Sequence, residues 1–144
     1  MRILVIDGQG GRLGKLLVEG LRQANVPGEI LAVGTNSIAT ASMVKAGADA
    51  GATGENPVVV CCRDADFILG PIGILSADSL MGEITETMAV AIGRSRAQKI
   101  LVPLNRCHTT VVGMKDLTMS ELVQEAVNLV SKAVSCQTDG CMVD

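Results

Sequence analysis

Apolar residues come in short continuous runs separated by segments with helical spacing. Arg2 to Ile6 (RILVI) is a β-branched run that stops at Asp7-Gly8, a buried strand meeting a turn. Leu13, Leu16, Leu17, Gly20, Leu21 and Ala24 then recur as one stripe of an amphipathic helix, which Pro27-Gly28 ends. Glu29 to Val33 (EILAV) predicts a second strand closed by Gly34-Thr35-Asn36, and Ser37 to Ala46 a second helix stopping at Gly47. Ala48 to Gly54 is expected to hold a short third strand. Asn56-Pro57 has the form of a helix start, an N-cap followed by proline, and places a short helix over Val58 to Ala65.

The alternation continues to the far end. Asp66 to Gly70 (DFILG) predicts the next strand, and the loop GPIGILSADSLMGEI follows it. Thr85 caps a helix running to about Arg96, and Lys99 to Leu104 (KILVPL) is a fifth strand. Thr109 to Val112 is expected as a short sixth strand at an edge. Thr118 and Glu121 form a capping box that opens a last helix with its stripe from Leu122 to Ala133. Strands alternating with helices, and apolar along their whole length, imply a parallel sheet covered on both faces. The expected fold is α/β, a Rossmann-like three-layer sandwich with a mainly parallel sheet of five or six strands. One domain is expected over residues 1–134, followed by a mobile tail over 135–144 that shows no periodicity.

Composition narrows the function classes. With one Phe and no Trp or Tyr, the chain lacks stacking platforms for single-stranded nucleic acid. Its net charge of −3 also disfavours nucleic acid, where phosphate contacts dominate affinity. The longest apolar stretch, near Phe67 to Leu75, is broken by Gly70, Pro71 and Gly73 and is too short to cross a membrane. Five cysteines without a C-x-x-C pair fit reduced thiols in the cytoplasm, and no metal site is expected. Cys61 and Cys62 are expected in the core, and Met43, Met81, Met88 and Met119 as gap-fillers on helices.

The candidate chemistry lies in the first turn. Gly8, Gly11 and Gly14 fit G-x-x-G-x-x-G, and Gly8, Gly10 and Gly14 fit G-x-G-x-x-x-G. Between a strand and an amphipathic helix, such a loop lets backbone N–H groups approach a phosphate. Gly8, Gly10, Gly11, Arg12, Leu13 and Gly14 are therefore the first candidate ligand-binding residues. A Walker loop fails, since Gln9 replaces its first glycine and Leu16 stands where Ser or Thr would hold magnesium. Asp7 has two readings: it caps N–H groups of the turn, or it faces the ligand.

The second strand ends in Gly34, Thr35 and Asn36 without the acid that an NAD site places there. That favours NADP over NAD, and it also admits another nucleotide. Gly70 and Pro71 end the fourth strand, and Asn105 ends the fifth; all three are expected at the ligand edge. Cys107 and His108 are candidates for a nucleophile and a general acid/base. Neighbours on an extended chain point to opposite sides, which opposes their pairing. Glu83 and Glu86 read as a solvated helix start.

IDGQGG with Gly14, GTNSIATASMVKAGADAGATGEN, GPIGI, GEIT and PLNRC together resemble a family of small bacterial proteins of unknown function. The resemblance reaches to about Val130 and leaves out the tail from Ser135. It implies a Rossmann-like fold and assigns no activity and no catalytic residue. The leading functional expectation is a dinucleotide-binding protein of NADP type. If it is an enzyme, it is an NAD(P)-dependent oxidoreductase whose site a second subunit of a dimer completes. A non-enzymatic nucleotide sensor and a ligand-free Rossmann-like scaffold are the alternatives.

Overall fold

The protein, a computed structural model, is described over residues 1–104 and 108–138. Five strands, β1 (Arg2–Asp7), β2 (Glu29–Gly34), β3 (Ala50–Thr53), β4 (Phe67–Pro71) and β5 (Gln98–Val102), form one sheet in the order β3-β2-β1-β4-β5. Every pairing is parallel. The chain steps outward from β1 to β2 and β3, then returns to the other side of β1 for β4 and β5. The carboxyl end of β1 is thus the point where strand order reverses, where ligands of doubly wound sheets bind.

Helices α1 (Arg12–Gln23), α2 (Ser37–Lys45) and α5 (Met119–Thr138) cover one face; α3 (Glu55–Cys61) and α4 (Glu86–Arg94) cover the other. Alternate residues of β1 feed the two cores. Ile3 and Val5 pack with Leu17, Leu21, Met43 and Val127, whereas Leu4 and Ile6 pack with Val58, Ile84, Met88 and Ile92. With both faces covered, β1 reads as an unbroken apolar run. Among the described residues, no helix is long and apolar enough to cross a membrane.

Several expected elements shift. Helix α3 begins at Glu55 with Gly54 as its N-cap, so Asn56 lies inside the first turn instead of capping it. Gly54 leaves β3 at φ 107°, a left-handed bend that suits glycine and sets the start earlier. Pro57 is tolerated there because first-turn N–H groups have no partner within the helix. Among the described residues, Thr109 to Val112 forms no strand, Val112 is exposed, and the sheet has five strands. Helix α5 runs on through Ser135 to Thr138, with the Ser135 hydroxyl donating to the Ser131 carbonyl. Met81 lies on a loop and is 95% exposed, filling no gap.

The capping box at α5 forms as read. The Glu121 amide donates to Thr118 Oγ1 at 3.2 Å, and the Thr118 amide donates to Glu121 Oε2 at 2.8 Å. Thr118→Ala is expected to cost about 1 kcal/mol. A urea midpoint identical to wild type would show that the cap contributes nothing.

Candidate functional site

The β1–α1 loop is built around Asp7. Its side chain is 5% exposed and turns into the loop. There Oδ1 accepts from the Gly8 amide at 2.8 Å and Oδ2 from the Gly14 amide at 2.7 Å. Of its two readings, the structure shows the cap. Burial holds the Asp7 carboxyl above its ordinary range; the Gly14 and Gly8 amides oppose that rise, and the Glu83 charge adds to it.

The glycines divide by what surrounds them. Gly11 sits at φ 71°, and a Cβ there would lie 2.7 Å from Ala39 Cα of α2. A Cβ on Gly14 would meet Met43 and Asp7, so this glycine lets α1 lie close against α2 and β1. Gly10 alone of the four has open space around it among the described residues. A bulky residue at Gly11 would separate α1 from α2, so Gly10 is the position that reports on ligand without disturbing the fold.

Above the loop lies a cavity of about 330 Å³, lined by Asp7 to Leu13 and by Pro71, Gly73, Leu80, Leu104 and Met119. The Gly11 amide donates to the Gly8 carbonyl and the Lys15 amide to the Gly11 carbonyl. With Gly14 bound to Asp7, the amides of Gly10, Arg12 and Leu13 make no hydrogen bond among the described residues. They form the polar floor beneath apolar walls, and the exposed Arg12 stands at the rim.

The second half of the crevice, between β1 and β2, is filled by a residue with no local signal in the sequence. Glu83, from the loop before α4, accepts from the Gln9 amide at 2.6 Å and from Thr35 Oγ1 at 3.1 Å. Asn36 Nδ2 donates to its other oxygen at 2.9 Å. Glu83 is thus part of the glycine loop's surroundings and not a solvated helix start, whereas Glu86 does lie in the first turn of α4. The missing acid at the end of β2 was the one available hint, and no spacing connects it to a residue so far along the chain.

The remaining candidates scatter. Thr35 and Asn36 are held by Glu83, and Asn36 Oδ1 also caps α2 by accepting from the Ala39 amide. Cβ atoms on Gly34 and Gly70 would collide with Thr40 and with the Ile6 carbonyl, so strand and helix packing accounts for both glycines. Pro71 lines the cavity. His108 is exposed and borders a separate shallow depression formed by Ser76 to Met81. Cys107 and Asn105 lie outside the described residues. Cys62 is buried, which pushes its thiol up to about 11 and makes it inert at neutral pH.

Comparison with known proteins gives two findings. The model of a family described as a domain of unknown function (DUF3842) matches residues 2–135. A solved structure described as a dodecameric FMN-dependent UbiX-like decarboxylase from Escherichia coli O157:H7 aligns with 94% of this chain and 95% of its own. That alignment has 15% identity and a TM-score of 0.44. No curated protein matches. The expectation of NADP, with NAD as its alternative, is corrected. The site itself supplies the physical reason. Thr35 and Asn36, the donors expected to receive a 2′-phosphate, already serve a carboxylate that would repel one.

Proposed function

The chain belongs to the DUF3842 family, and we propose that it binds a single phosphate monoester carrying an apolar body, such as a mononucleotide, over β1 and β4. One observation carries the reading: Gly10, Arg12 and Leu13, at the start of α1, line a cavity at the sheet's reversal point, and their amides make no hydrogen bond among the described residues. Pro71, Leu80, Leu104 and Met119 supply apolar walls for the rest of the ligand. The volume lies at the small end of ligand pockets, which suits one nucleotide unit.

Charge limits the ligand further. Asp7 already places a carboxylate at the first turn of α1, and Glu83 places a second beside Gln9. A singly esterified phosphate, paired with Arg12, suits that balance better than a polyphosphate.

Titration with AMP, FMN and inorganic phosphate, followed by amide chemical shifts, tests it. The expected result is movement of the Gly10, Arg12 and Leu13 resonances with a rise in melting temperature. Gly10→Asp, which adds a carboxylate to the floor without a steric clash, is expected to weaken binding at least tenfold while leaving the melting temperature of the free protein unchanged. No response at those amides to any of the three probes would refute the proposal.

A further inference from the structure

We propose that Glu83 is the specificity-determining residue of this crevice. Its carboxylate fills, from within the chain, the anion seat between the β1–α1 loop and the end of β2, and so confines ligands to the β1/β4 half. The inference deepens the phosphate-ligand reading above, on which it rests.

The seat has the donor set of a phosphate site: one backbone N–H from Gln9, one hydroxyl from Thr35 and one amide NH₂ from Asn36. All three converge on one carboxylate, two of them on Oε2 and the third on Oε1. Gly8 is small for this occupant. A Cβ there would lie 2.6 Å from Glu83 Oε2 and from Thr35 Oγ1, and 2.9 Å from a Leu80 methyl. The first glycine of the loop thus leaves room for the chain's own carboxylate.

The segment that delivers Glu83 is shaped for the purpose. Leu80 and Met81 hold left-handed backbone at φ 54° and 57°, followed by Gly82 at 87°. Non-glycine residues keep such conformations only where their surroundings impose them. Here the Ser79 hydroxyl is bonded to the Gly73 carbonyl, and the Asp78 amide donates to the Ile84 carbonyl at 2.7 Å. Ile84, next to Glu83, is fully buried among α3 and α4 residues. With both flanks anchored, the turn projects Glu83 onto the loop and Leu80 into the wall of the neighbouring cavity. A ligand spanning both halves would have to expel a carboxylate that holds three hydrogen bonds.

Inorganic pyrophosphate and inorganic phosphate are the probes, tested on wild type, Glu83→Ala and Glu83→Gln. In wild type, phosphate is expected to move the Gly10, Arg12 and Leu13 amides and leave Gln9 and the Asn36 side chain in place. Glu83→Ala is expected to bind pyrophosphate at least tenfold more tightly than wild type, with new shifts at Gln9 and Asn36. Glu83→Gln keeps the shape and one acceptor without the charge, and is expected to show a smaller gain at the same positions. It also carries the test if the alanine variant does not fold.

Unchanged or weakened pyrophosphate binding in the folded variants would overturn the inference, and weakening would mean that Glu83 only orders the loop. The two readings fail separately. Wild type that ignores phosphate and mononucleotides defeats the ligand assignment, while a gain confined to Gln9 and Asn36 in the variants still supports the role of Glu83.

Discussion

Asp7→Ala is expected to lower the stability of the protein by about 3 kcal/mol, a fall of roughly 6–12 °C in melting temperature for a chain of this size. The substitution leaves the Gly8 and Gly14 amides without the carboxylate they share. An orphaned buried donor costs about 1–3 kcal/mol, and relief from burying a charge offsets part of the sum. Asp7→Asn keeps one acceptor and should lose about half as much. A loss in Asp7→Ala below about 0.5 kcal/mol by urea unfolding would show that the loop does not depend on this cap.

The same residue predicts a pH dependence of known sign. Burial raises the Asp7 carboxyl in the folded chain above its ordinary value of 3.8. The native state therefore takes up the proton before the unfolded state does, and ionising Asp7 costs stability. The stability of wild type relative to Asp7→Asn should rise as pH falls from 7 through the folded value, and level off below about 3.8. Other carboxylates, such as Asp49 beside the Ile30 amide and Arg22, titrate in both proteins and cancel in the difference. A difference that is flat or falls on acidification would contradict the burial account.

Gly70→Ala is expected to cost about 3 kcal/mol, the upper end for an overpacked core. The added Cβ would press on the carbonyl oxygen of Ile6 in the neighbouring central strand, and approach an Ile74 methyl at 3.1 Å. Backbone inside a sheet yields less readily than a side chain. β1 and β4 would part where strand order reverses, displacing Pro71 and the cavity wall. A urea midpoint within experimental error of wild type would refute this placement of the strand.

Much of the fold was legible in residue order. The runs at Arg2, Glu29, Phe67 and Lys99 are strands because a parallel strand buried on both faces must be apolar throughout. Strand β3 was legible only faintly, since it lies at the sheet edge with mostly exposed small residues and little apolar pattern. The start of α3 was misplaced because Asn56-Pro57 carries a local capping signal that the left-handed bend at Gly54 overrides.

The site was legible in part, for a related reason. A glycine-rich turn between a strand and an amphipathic helix is a local feature, and its backbone geometry follows from local rules. Which glycines face open space is not local. Gly11 and Gly14 press against α2, Gly8 against Glu83, and Gly10 alone of the loop has no neighbour among the described residues. The surroundings of Thr35 and Asn36 are not local either. Their donors meet an acceptor from within the chain, Glu83, 47 residues beyond Asn36.

Residue order by itself determined the alternation of strands and helices, the parallel sheet and the seat of the glycine loop. These follow from apolar periodicity and from caps, which act over a few residues. Tertiary structure alone decided that Asp7 turns inward, that Gly70 is small for Ile6, and that Glu83 closes one half of the crevice. Each depends on burial and on hydrogen bonds or contacts whose partners the folded sheet brings together, and no spacing along the chain encodes them.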